Sequence, residues 1–157
     1  MVERKFIVSD PEKCNGCRIC ELACSATKED GFNPLLSRIR TVHMEPFANM
    51  AIACRLCENP KCVNSCPRKA LKQEEKTGVI LVDEQRCHGC KWCLEACEFG
   101  AIFVHPDTKV LTVCDLCQGN PKCVTLCPKE ALQLISGEEL GQKMRKATFM
   151  RLVFEVR

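Results

Sequence analysis

The stretch CNGCRICELAC, Cys14 to Cys24, decides how this chain is read: four cysteines separated by two, two and three residues. The run CHGCKWCLEAC, Cys87 to Cys97, repeats that spacing. Gly16 and Gly89 stand between the first two cysteines of each run, where a tight loop needs a residue free of Cβ strain. Two looser relatives follow, CRLCENPKCVNSC from Cys54 to Cys66 and CDLCQGNPKCVTLC from Cys114 to Cys127, whose middle gaps widen to four and five residues. Their extra residues, Asn59 to Lys61 and Asn120 to Lys122, bulge outward without disturbing the outer cysteine pairs.

Outward from these motifs the chain is an internal repeat. IVSDPEKCNGCRICELAC from Ile7 parallels ILVDEQRCHGCKWCLEAC from Ile80, and CRLCENPKCVNSCPRKAL from Cys54 parallels CDLCQGNPKCVTLCPKEAL from Cys114. The unit is a tight motif, a linker and a loose motif. Twenty-nine residues separate Cys24 from Cys54 but only 16 separate Cys97 from Cys114, so the first linker is the place for variable, partner-facing structure.

Three chemistries compete for the sixteen cysteines. Structural zinc joins one Cys-x-x-Cys pair to a distant second pair, whereas a dense triplet gives one tetrahedral ion more thiolates than it needs locally. Disulfides would leave an odd cysteine in each tight triplet and close only tiny loops. The tight spacing is that of bacterial ferredoxins, in which three cysteines ligate three iron corners of a cubane and the fourth serves the neighbouring cluster. Four motifs of four, with none left over, point to four [4Fe-4S] clusters. Cys14, Cys17, Cys20, Cys24, Cys54, Cys57, Cys62, Cys66, Cys87, Cys90, Cys93, Cys97, Cys114, Cys117, Cys123 and Cys127 are all candidate iron ligands.

Composition agrees. Of 157 residues 46% are apolar, but cysteine supplies 16 of those, and one Trp, seven Phe and no Tyr leave little bulk for a core. The opening MVERKFIVSD has no apolar leader pattern or twin arginine, and no later stretch is long and apolar enough to span a bilayer. The reading is a soluble cytoplasmic protein, where thiols stay reduced. The formal charge of +3 belongs to the iron-free chain. Each loaded cluster adds about −2, bringing the holoprotein to about −5, so a nucleic-acid role is not implied.

KFIV, GVILVD, AIFVHP and KVLTV read as short strands, and CELACSATK and CLEACEFGA as one or two helical turns. Pro67 and Pro128, each directly after a fourth cysteine, turn the chain away from the cluster. The tail EELGQKMRKATFMRLVFEVR reads as helix first and strand at its end. Among other residues, His88 is a solvated loop residue or a donor to cluster sulfur, and Trp92 a packing shield or an electron relay. His43 and His105 read as structural or surface residues. Lys13, Lys61, Arg68, Lys122 and Lys129 flank cysteines and either offset cluster charge or are merely solvated.

With these motifs placed, residues 6–135 resemble the four-cluster electron-transfer subunits of the dimethyl sulfoxide reductase and formate dehydrogenase type. The resemblance implies an α+β fold of two nested ferredoxin-like halves, a cofactor-dominated core, and short strands and helices. The outer half would be 1–47 with 107–136, the inner half 48–106, and 137–157 a docking tail. It also implies the ligand sets: Cys14, Cys17, Cys20 and Cys127; Cys24, Cys114, Cys117 and Cys123; Cys54, Cys57, Cys62 and Cys97; Cys66, Cys87, Cys90 and Cys93. Sequential pairing of the first motif with the second stays open. Some relatives replace a third-motif cysteine by Trp; here all four are present. Ser25 and Glu98 stand where proline follows the other two fourth cysteines.

In length the chain resembles the small subunits of tungsten-pterin aldehyde oxidoreductases, so the expected partner is a tungsten- or molybdenum-pterin aldehyde or formate oxidoreductase. The expected acceptor is a ferredoxin or a further subunit. The alternative is a freely diffusing polyferredoxin serving a hydrogenase or carbon monoxide dehydrogenase. An enzyme in its own right is disfavoured: there is no Gly-rich dinucleotide fingerprint, no nucleophile elbow and no spare ligand for a catalytic metal. The tail residues Phe149, Met150, Leu152, Val153 and Phe154 and the long first linker favour a docked subunit over the carrier.

Overall fold

The computed structural model describes residues 4–29, 31–44 and 48–154, apart from the side chains at 151 and 154. Strand β1 (Lys5–Ser9) leads into helix α1 (Ile19–Glu29), a 3-10 turn (Pro34–Leu36) and the strands β2 (Arg40–Met44) and β3 (Ala48–Ile52). Next come α2 (Lys61–Asn64), β4 (Leu71–Gln73), β5 (Ile80–Val82), α3 (Trp92–Glu95), β6 (Ile102–Val104) and β7 (Leu111–Val113). A 3-10 segment (Leu116–Gly119), α4 (Lys122–Thr125), β8 (Leu132–Ser136) and α5 (Gly137–Phe154) complete the chain.

All the sheets among the described residues are two-stranded and antiparallel: β1 with β8, β2 with β3, β4 with β5, and β6 with β7. The first closes the chain on itself, from Lys5 opposite Ser136 to Ser9 opposite Leu132, and α1 packs on α4 beside it. Such ribbons are marginal alone and need something to pack against. Each buries aliphatic side chains: Ile7, Leu132 and Ile135 on the first, Ala51 on the second, Leu71 and Ile80 on the third, and Ile102, Leu111 and Val113 on the fourth. Cysteine joins these aliphatic residues in the core, with Cys20, Cys24, Cys54, Cys93, Cys114 and Cys123 all buried in the central cluster. The fold is the small α+β ferredoxin-like arrangement expected.

The four expected strand runs fall on β1, β5, β6 and β7. Two expectations need correction. Helix α1 runs for 11 residues, beyond the one or two turns expected; Ser25 in place of proline permits it to continue past Cys24, although Glu98 in the same place does not extend α3. Buried Ser25 and then Thr27 return their hydroxyls to the carbonyls of Leu22 and Ala23. The strand expected at the end of the tail is not found among the described residues, where α5 stays helical through Phe154. Residues 155–157 lie outside the described chain. Among the described residues no helix is long and apolar enough to cross a membrane.

Candidate metal centres

All four motifs share one backbone device. The second residue after the first cysteine is left-handed: Gly16 at φ +74°, Leu56 at +49°, Gly89 at +71° and Leu116 at +58°. At Gly16 a Cβ would meet the His43 ring at 2.5 Å, and at Gly89 the Lys109 carbonyl at 2.6 Å, so only glycine fits. Leu56 and Leu116 accept the strain of that region because their side chains are buried in the core. The device turns the backbone N–H groups inward. The N–H of Leu56 points at Cys54 and that of Leu116 at Cys114.

The fourth cysteines are treated two ways. After Cys66, Cys97 and Cys127 a left-handed residue follows at the third position, Lys69, Gly100 and Glu130. The alanine beyond it donates its N–H to sulfur in two of them, Ala70 to Cys66 at 3.3 Å and Ala101 to Cys97 at 3.4 Å. This occurs with Pro67 or with Glu98 after the cysteine, so proline is not what sets it. Cys24 stays inside α1 and takes its N–H from Arg38, 3.3 Å away.

The thiols face one another across the motifs. Burial pushes Cys114 up to about 12, and nearby Cys24 and Cys54 push the same way; the N–H of Leu116 opposes them. Burial raises Cys123 as well, with Cys114, Cys24, Cys117 and Cys20 adding to it. Cys54 is pushed to about 11 by burial, then by Cys62, Cys57 and Cys97. Cys93 also reaches about 11, again by burial, with Cys90 and Cys62 as its cysteine neighbours. A further cavity is lined by Cys66, Cys87, Cys90 and Cys93 together, with Trp92 and Arg68 at its rim.

These groups suit a polynuclear iron-sulfur centre. All sixteen cysteines are free thiols, the donors are soft sulfur, and inward N–H groups stabilise sulfur as thiolate. Among the described residues no three Cys, His, Asp or Glu side chains converge on one ion position, so the geometry of a mononuclear zinc site is not formed there.

Residues that sequence reasoning passed over complete the setting. Thr41 of β2 lies with its hydroxyl 3.5 Å from Cys20 Sγ. Its N–H donates to Glu21, which is 1% exposed and also takes the Arg18 guanidinium at 2.8 Å. The β2–β3 hairpin thus lies over the first motif. Asp115, next to Cys114, accepts from Lys28 at 2.7 Å and Arg38 at 3.1 Å. Asp115 titrates below its usual value: burial works against this, and the Lys28 and Cys117 hydrogen bonds with the Lys28 and Arg38 charges outweigh it.

The weaker candidates separate. His105 is structural, its Nδ1 accepting the N–H groups of Asp107 and Thr108 in the β6–β7 turn. His43 packs over Gly16 and pairs with Asn49. His88 is exposed, and Trp92, 59% exposed, borders the cysteine cavity without being enclosed. Lys61 is engaged by Glu98, while Lys13, Lys122 and Lys129 are exposed.

The description "4Fe-4S dicluster domain" matches residues 47–137. The chain is 40% identical over 138 residues to the "Aliphatic sulfonate oxidoreductase, polyferredoxin-like subunit" of Pyrococcus furiosus, covering 86% of this chain and 80% of that one. It is 38% identical to the putative electron transport protein YsaA of Escherichia coli, covering 87% and 92%. To the thiosulfate reductase electron transfer subunit PhsB of Salmonella typhi it is 32% identical, covering 85% and 76%. The structure also superposes on a chain of the active site complex BamBC of benzoyl coenzyme A reductase as isolated. The TM-score is 0.51 at 24% identity, covering 96% of this chain and 90% of that one, a likeness of fold.

Proposed function

Because this chain belongs to the 4Fe-4S dicluster domain family, we propose that its sixteen cysteines hold four cubanes in nested sets and that it serves a pterin-metal oxidoreductase. It is an iron-sulfur electron-transfer subunit of the kind found in oxidoreductase complexes, and not catalytic alone. When bound, each cluster supplies a one-electron site. The chain's part is to hold thiolates, shield them from water and aim N–H groups at sulfur.

The observation that carries the pairing is the proximity of Cys24 to Cys114 and Cys123. Cys97 beside Cys54 and Cys62, and Cys66 in one cavity with Cys87, Cys90 and Cys93, support the inner sets. The β1–β8 ribbon and the α1–α4 contact, which bring the first and fourth motifs together, support the set of Cys14, Cys17, Cys20 and Cys127. Neighbours between sets, Cys20 with Cys123, Cys114 with Cys54, and Cys62 with Cys93, favour a linear order of the four. The halves 1–47 with 107–136 and 48–106 then describe which motifs pair, although the β2–β3 and β6–β7 ribbons cross their boundaries.

The fixed partner would sit at the first-motif end. There the outer face of the β2–β3 hairpin presents Val42, Met44 and Met50; elsewhere α5 leaves Phe149, Met150, Leu152 and Val153 exposed. A cytoplasmic setting keeps these ligands reduced. Anaerobic purification of the native complex tests the reading. A co-purifying chain carrying tungsten or molybdenum with a pterin supports it, and a nickel hydrogenase subunit in its place contradicts it.

A further inference from the structure

Of the sixteen cysteines, Cys17 and Cys90 are the two exposed ones, and they belong to opposite ends of the linear order. Their surroundings differ in kind. Cys17 lies beside the hairpin whose outer face is apolar, the chemistry of a lasting contact. Around Cys90 three cations gather and offset the charge of about −2 that a cluster there would add. Arg68 and Arg86 line the cavity of Cys66, Cys87, Cys90 and Cys93, and Lys91 is the next residue after Cys90. Asp83 is engaged by Arg86 at 3.3 Å, and Glu95 follows one turn along α3. In the middle stands Trp92, more than half exposed beside the thiols, with no described partner to cover it.

We propose that this face, centred on Cys90 and Trp92 and ringed by Arg68, Arg86 and Lys91, is the docking surface for an acidic, soluble one-electron carrier protein. A carrier that must arrive, exchange one electron and leave is suited by a small patch with one aromatic contact and a ring of charge, which speeds encounter without prolonging residence. An uncharged or basic carrier would gain nothing from the ring. In the exchange one electron leaves the set held by Cys66, Cys87, Cys90 and Cys93 and reduces the carrier by one; no bond is made or broken. The proposal rests on the reading that these four cysteines hold one cluster.

The test uses the anaerobic holoprotein, reduced and mixed in stopped flow with an acidic two-cluster ferredoxin as probe. Each rate is compared with the rate to a small uncharged quinone. The second-order rate to the ferredoxin should fall about tenfold or more between low and high ionic strength. Arg68→Glu and Lys91→Glu should each lower the low-salt rate several-fold and together about tenfold, and Trp92→Ala should lower it at all salt concentrations. Lys143→Glu and Lys146→Glu on α5 carry the same charge change and should alter it less than twofold. A salt-independent rate, or equal losses from the α5 variants, overturns the docking surface. Iron content read on the same samples separates the two claims. Full iron with an unchanged rate in the Arg68 and Lys91 variants sinks the surface alone. Four intact clusters in Cys90→Ser, with the charge-reversal losses retained, sink the ligand set alone.

Discussion

The backbone N–H of Arg38 donates to Cys24 Sγ at 3.3 Å, while its guanidinium reaches Asp115, the residue after Cys114, at 3.1 Å. One residue of the first linker therefore ties the first motif's last cysteine to the fourth motif's first. Arg38→Ala keeps the N–H and removes the ion pair. Sharing Asp115 with Lys28 and partial exposure limit the loss to about 1–2 kcal/mol. The holoprotein should melt a few degrees lower with all its iron retained; loss of one whole cluster would show that the side chain does more than brace.

With Cys20 ionised as an iron ligand, the Thr41 hydroxyl is the donor of their contact, and a donor to ligand sulfur favours the reduced cluster. Thr41→Val should lower one cluster potential by on the order of tens of millivolts, and Thr41→Ser should restore it. A redox titration followed by electron paramagnetic resonance reads this directly. Equal potentials in all three proteins would contradict it.

Four two-stranded ribbons around a small core of aliphatic residues and cysteines, with no buried aromatic among the described residues, cannot hold together on burial alone. Removing iron with a chelator should abolish the cooperative thermal transition and leave only residual secondary structure. An iron-free chain with the holoprotein's melt would refute this.

The four cysteine motifs and half the strands were legible in the sequence because both are local signals: cysteine spacing and β-branched runs. The sequence hid what depends on packing. Leu56 and Leu116 occupy a left-handed conformation that leucine rarely adopts, with both side chains buried in the core. The hairpin pairing Thr41 with Ala51 lay in a linker without turn glycine, so Thr41 could not be connected to Cys20 beforehand. Spacing alone leaves open whether Cys24 serves the second or the fourth motif, because it says which cysteine crosses over and not where it goes.

The most direct test of the account is that crossing. Replace Cys24 by Ser, alkylate newly exposed thiols under anaerobic conditions, and map the labelled peptides. Nested pairing predicts label on Cys114, Cys117 and Cys123, about 90 residues away in sequence, with the other sets protected. Label confined to Cys54, Cys57 and Cys62 would contradict the nested arrangement and the linear order built on it.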